Sequence, residues 1–146
     1  MKIWELIWGL ILLPVALADS LIQIPATFPS GHATINGKNF TLYTASNFSQ
    51  WQQGFKGWHV KKSEAMLFKF PSFSTKYFWM KGTVSPLDII FLDENMTVTN
   101  IVENAKPCRF LCKNYSGKAK YVLEVKGGMA KNLDIKKGSK VSLLFT

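Results

Sequence analysis

The sequence predicts a mostly β domain, a compact barrel or jelly-roll-like sandwich with one or two short helices. Three observations lead there. Apolar and polar residues alternate over short stretches, Asp93-Glu94-Asn95 marks a turn between two of them, and Gly127-Gly128 separates two more near the end. Five or more short strands divided by turns point to a sandwich or barrel.

The elements follow in order. Residues 21–29 are apolar and punctuated by proline, which reads as an extended lead-in. Residues 38–45 alternate, Phe40 and Leu42 against Thr41 and Tyr43, and predict a strand. Asn47 or Ser46 caps a short helix carrying Phe48, Trp51, Gln52 and Phe55. Residues 66–70 form a strand that ends at Pro71, and residues 76–81 form an aromatic one. The apolar run 87–92 and the alternating 97–102 make a β-hairpin across the Asp93-Glu94-Asn95 turn. Residues 121–125 and 141–145 are the last strands, with a short turn or helix at 130–135.

The first residues read as an export leader. Lys2 gives a positive start, residues 6–18 are nearly all apolar, and Ala16-Leu17-Ala18 offers a small-x-small cleavage pattern. That run is shorter than the roughly 18 residues of a membrane span. The sequence therefore divides into a secretory signal at 1–18, an extended segment at 19–37 and a single β domain at 38–146. Uncleaved, the leader would be an anchor and the only membrane contact expected. The localisation expected is export to the cell surface or outside, with a periplasm as the variant.

Removing the leader takes one Lys and one Glu, so the net charge stays at +9. Of the 18 basic residues only Arg109 is arginine. Base reading and phosphate gripping draw on the arginine fork, so nucleic acid is not an expected partner. A lysine-rich surface serves solubility or attraction to an anionic envelope.

Cys108 and Cys112 are the two cysteines. In an exported chain they predict a local disulfide. A metal site would need about four ligands, and His32 and His59 are isolated in the sequence; neither a metal nor a cofactor is expected. Asn39, Asn47, Asn95 and Asn114 each open an N-x-S/T tripeptide, a glycosylation acceptor in a suitable host.

The run from Phe78-Trp79-Met80-Lys81-Gly82-Thr83 to Pro86-Leu87-Asp88 is the most distinctive stretch. It resembles the core of the family called domain of unknown function 192, small prokaryotic domains that are often exported. Met66-Leu67-Phe68-Lys69-Phe70, Ala105-Lys106-Pro107, Tyr121-Val122-Leu123-Glu124-Val125 and Ile135-Lys136-Lys137-Gly138 are similar to further family segments in the same order. The resemblance implies a compact β fold and no agreed reaction or cofactor. Two departures stand out. The family's Gly-Leu-Met-x-Arg segment is Gly54-Phe55-Lys56-Gly57-Trp58 here, and the asparagine after Trp-Met-Lys is Gly82.

The candidate pocket comprises Trp79, Met80, Lys81, Asp88 and Glu124. Alternation sets Phe78 and Met80 on one face and Trp79 and Lys81 on the other, so one pair is core and the other is either exposed or in a pocket, an aromatic slot for a sugar or apolar ligand. Asp88 either caps a turn by accepting backbone N–H bonds or pairs with Glu124 as two catalytic carboxylates. Glu124 alternatively pairs with a lysine such as Lys81. The first functional reading is an exported non-catalytic domain that binds a ligand or protein partner at the cell surface. The alternatives are a self-assembling filament or sheath subunit, adding residues 19–29 as a strand to its neighbour, and a carboxylate-based hydrolase.

Overall fold

The computed structural model describes residues 26–146. The expected leader at 1–18 and residues 19–25 of the expected strand-adding segment lie outside them.

Seven strands form one mixed sheet: β1 (Ser30–Ile35), β2 (Lys38–Ala45), β3 (Glu64–Phe78), β4 (Leu87–Leu92), β5 (Val98–Ala105), β6 (Tyr115–Lys126) and β7 (Leu143–Phe145). Two short helices interrupt them, α1 (Phe48–Gln53) and α2 (Met129–Asn132). The spatial order is β5-β4-β6-β3-β2-β1-β7. All pairs are antiparallel except β2 with β3. The parallel pair requires a crossover, which α1 and the loop after it supply.

The chain is mostly β, and its sheet is not closed into a barrel. The edges meet at one end only, through residues 138–141. Val98 N donates to Ser139 O (2.9 Å), Gly138 N to Val98 O (2.8 Å) and Val141 N to Met96 O (2.9 Å).

Both sheet faces are buried in the middle, because strand side chains alternate and each face has its own cover. Ile90, Leu92, Leu123, Val125, Leu67 and Leu42 pack on one face with Met129, Ala130, Leu133 and Ile135 of the α2 region. Leu87, Ile89, Phe91, Val122, Met66 and Phe68 pack on the other with Phe55, Val60 and Met80. Every residue of β4 is buried, as its apolar run predicts.

Residues 30–35, expected within the extended segment 19–37, are strand β1 of this sheet. They join β2 by a two-residue turn at Asn36-Gly37, with φ of 45° and 82°. Both residues adopt the positive φ that such hairpin turns require. Asn36 also bonds beyond the turn, Nδ2 donating to Leu133 O (2.9 Å) and Oδ1 accepting from Ser142 N (2.8 Å).

The strand expected at 66–70 and the first three residues of that expected at 76–81 are one strand, β3, which ends at Phe78. Pro71 lies where the β3–β6 register shifts, between Lys69 and Ser74. Proline is tolerated there because no ladder N–H is demanded of it.

On β6, a Cβ at Gly117 would lie 2.6 Å from Phe91 Cγ and 3.0 Å from Phe91 Cβ. Phe91 is fully buried, and the atoms met are the root of its side chain rather than its tip. Gly117→Ala is therefore expected to cost about 1–3 kcal/mol by overpacking, read as a lower urea midpoint with an unchanged slope.

Candidate binding cleft

The site begins with α1. Asn47 caps it, its Oδ1 accepting from Gln50 N (3.0 Å). Gly54 ends it at φ 46°, a left-handed value that favours glycine. A methyl group at Gly54 would lie 3.3 Å from Phe68 Cζ and 3.8 Å from Glu124 Oε2. The helix end thus closes down on the β3–β6 face.

Between α1 and the end of β3 lies a cleft of about 360 Å³. Trp51, Phe55, Phe68, Phe78 and Trp79 form aromatic walls, with Lys56 and Asn114 also on the lining. Trp51 is fixed by Nε1–H donating to Ala45 O (3.1 Å) and by its ring on Phe70 at 5.0 Å. Trp79 stays half exposed, with the Lys81 and Lys56 ammonium groups 5.3 and 5.9 Å from its ring centroid.

Glu124 lines this cleft although only 5% of it is exposed. Burial alone pushes its carboxyl up from the ordinary 4.5 to about 8, with no contribution from a charge or hydrogen bond. The ion pair expected with Lys81 is not formed. Lys81 is exposed over Trp79, and the single ion pair among the described residues is Lys136–Asp134.

Asp88 does not belong to the cleft. In the β4–β6 register Asp88 stands opposite Val125, and Glu124 opposite Ile89. Neighbours in register share a face, so the two carboxylates point to opposite sides of the sheet. The two-carboxylate hydrolase arrangement is absent for that reason. Asp88 instead accepts from Asn104 N (2.7 Å), Gly128 N (3.0 Å) and Ala130 N (2.8 Å). Met80 is core, 1% exposed. Of the expected pocket, the cleft holds Trp79 and Glu124, with Lys81 reaching it through the Trp79 ring.

Cys108 and Cys112 form a disulfide. No group of three or more His, Cys, Asp and Glu suited to a metal occurs among the described residues. Asn39, Asn47, Asn95 and Asn114 are all exposed. The described end of the strand-adding segment folds onto its own domain. Ala26 N donates to Gln53 Oε1 (2.6 Å), Gln50 Nε2 to Thr27 O (2.7 Å), and Phe28 packs edge-on against Trp58.

Residues 31–143 match the sequence model of DUF192, described as "Uncharacterized ACR". The chain belongs to the DUF192 family. No curated protein matches it. Among solved structures, a "putative transcription regulator" from Sinorhizobium meliloti is similar at TM-score 0.70 and 27% identity, covering 80% of this chain and 95% of its own. A protein of unknown function from Novosphingobium aromaticivorans is similar at TM-score 0.67 and 30% identity, covering 80% and 93%.

As a DUF192 member, the chain keeps Gly54 of its Gly-Leu-Met-x-Arg segment, and that glycine is what lets α1 approach Glu124. Trp58, in the place of the arginine, packs among Phe28, Tyr43 and Phe55 at 4.9–5.9 Å. Gly82, in the place of the asparagine, faces Lys56: a methyl there would meet Lys56 Cγ at 3.5 Å. Gly57 N also donates to Gly82 O (3.0 Å). The segments carrying the two departures are thus neighbours beside the cleft.

Proposed function

We propose that this chain is an exported, non-catalytic binding module, and that its ligand enters the cleft over Glu124. The observation that carries this reading is a nearly buried carboxyl, without a protein hydrogen bond, whose oxygens open into the cleft at the foot of aromatic walls. With no side chain bonded to it, the carboxyl is free to pair with a ligand hydroxyl or carbonyl that displaces water from the cleft. At neutral pH the carboxyl is mostly protonated, so it can both donate and accept. Aromatic faces beside polar groups suit a small ring with an apolar face and a hydroxylated edge, and a sugar has that form. The exposed Asn39, Asn47, Asn95 and Asn114 would be open to glycosylation on an exported chain.

The nucleic-acid role implied by the name of the Sinorhizobium meliloti protein is not carried over. This chain has one arginine, Arg109, and the planar fork that makes the commonest bidentate base contact is otherwise missing from its sequence. A hydrolase would need a second acid–base group in the cleft, and Asp88 is behind the sheet.

The test is an NMR titration with a panel of mono- and oligosaccharides. The Trp79 and Trp51 indole N–H signals and the Glu124 amide should move together. Trp79→Ala should weaken that binding by about tenfold through loss of ring contact. Shifts confined to another surface, or an unchanged affinity in Trp79→Ala, would remove the reading.

A further inference from the structure

We propose that the Cys108–Cys112 loop is a docking tip that inserts Phe110 and Leu111 into an anionic lipid surface. The patch shares Trp79 and Lys81 with the rim of the cleft but needs no ligand there, and the proposal survives if the cleft binds nothing.

Phe110 is 83% exposed and Leu111 104%. Scattered apolar residues on a surface are ordinary, but these are consecutive, large and at the tip of a closed loop. Leu111 also holds φ at 51°, a region costly for a branched side chain. The disulfide closes the loop over four residues of sequence separation. Two strong local constraints therefore present an apolar dipeptide that contributes almost nothing to the core.

The surroundings give the partner's chemistry. Arg109 and Lys113 bracket the dipeptide, and Lys106 precedes it; all three are exposed. No acidic residue occurs between Glu103 and Glu124, nor between Glu64 and Asp88. The second of these stretches lies alongside the loop. Cys108 N donates to Met80 O (3.3 Å) and Gly82 N to Cys108 O (3.1 Å), which sets the loop beside Lys81 and the half-exposed Trp79 and Val84. The patch is apolar at its tip and of one charge sign around it.

A specific protein partner normally needs about 800 Å² of complementary surface on each side. A two-residue apolar tip does not supply that. A bilayer asks for no matching shape: the tip enters the headgroup boundary while the cations face anionic headgroups. A small apolar insertion is marginal alone and becomes stable when joined to basic residues. Both signals are present here, and they are independent of the N-terminal leader.

The experiment uses the full chain and vesicles of phosphatidylcholine, with or without about one-third phosphatidylglycerol. Cosedimentation should be stronger with the anionic lipid and should fall as salt rises. F110S/L111S should lower partition by about tenfold or more. R109Q/K113Q should lower it by about fivefold per charge removed and flatten the salt dependence. These side chains face solvent, so the variants should keep the wild-type urea midpoint. Because residues 1–25 are themselves apolar, a second measurement reads the loop directly. In small bicelles containing spin-labelled lipid, the Leu111 methyl signals should broaden while those of Leu144, exposed on β7, stay sharp. Equal broadening of the two, no broadening of Leu111, or unchanged partition in both double variants would overturn the proposal.

Discussion

Asp88→Ala is expected to destabilise the domain by about 3–5 kcal/mol, the range for stranding several buried donors at once. Asp88 is 1% exposed, and its carboxylate is the acceptor for three backbone N–H groups from two distant parts of the chain. Asn104 N belongs to the end of β5, where Asn104 holds φ at 52°. Gly128 N and Ala130 N belong to the start of α2. That helix has no side-chain cap of its own, since its N-cap is Gly128. Asp88 acts as the cap from a neighbouring strand, and in doing so fixes the segment that carries Met129, Ala130 and Leu133 onto the sheet. Alanine removes the acceptor and leaves buried donors without partners. Asp88→Asn keeps one oxygen but turns an amide NH₂ toward an N–H, so it should fall between alanine and wild type. Urea unfolding of the three proteins gives the order directly. A loss below about 1 kcal/mol for alanine would mean that water reaches these donors.

Asp88 also shows where the sequence stops being informative. Both of its roles were readable from its place between Pro86 and an apolar strand. Choosing between them required the β4–β6 register, because a shift of one residue reverses the face of every side chain. Nothing local to residues 87–92 encodes that pairing. Where the signal is local, it was legible. β2 matches its alternating stretch, β4 its apolar run, α1 its Asn47 cap, and Asn95 lies in the β4–β5 turn. The β1–β2 hairpin departs from the extended segment expected at 19–37: Asn36-Gly37 is a strong turn signal, but Ser-Gly-His-Ala-Thr-Ile has little apolar alternation to announce a strand. β3 was cut at Pro71 because a bulge that tolerates proline is a property of the pairing with β6. In the cleft, Trp79 and Glu124 stood out in the sequence. Trp51, Phe55 and Gly54 did not stand out as lining residues, because α1 meets β6 only through the crossover.

Glu124 should make the whole domain less stable as pH rises from about 4.5 through about 8. Its carboxyl titrates near 4.5 when exposed and near 8 in the fold. Below the lower value both states are protonated and no penalty exists. Between the two, the unfolded chain releases the proton while the fold retains it, so unfolding gains free energy with each unit. Above the upper value the fold holds a buried carboxylate, and the accumulated loss is about 5 kcal/mol. Glu124→Gln keeps the shape without the titration. It should match wild type at acid pH and exceed it by about 5 kcal/mol near pH 9, measured by urea unfolding across the range. Coinciding profiles for the two proteins would mean that the carboxyl is solvated. The same proton sets a sign for binding. A neutral ligand that accepts a hydrogen bond from the protonated carboxyl raises its pKa further, so its affinity should fall as pH passes 8. A cationic ligand favours the carboxylate and should bind more tightly over that interval. The direction of the pH dependence therefore identifies the charge class of the ligand before its structure is known.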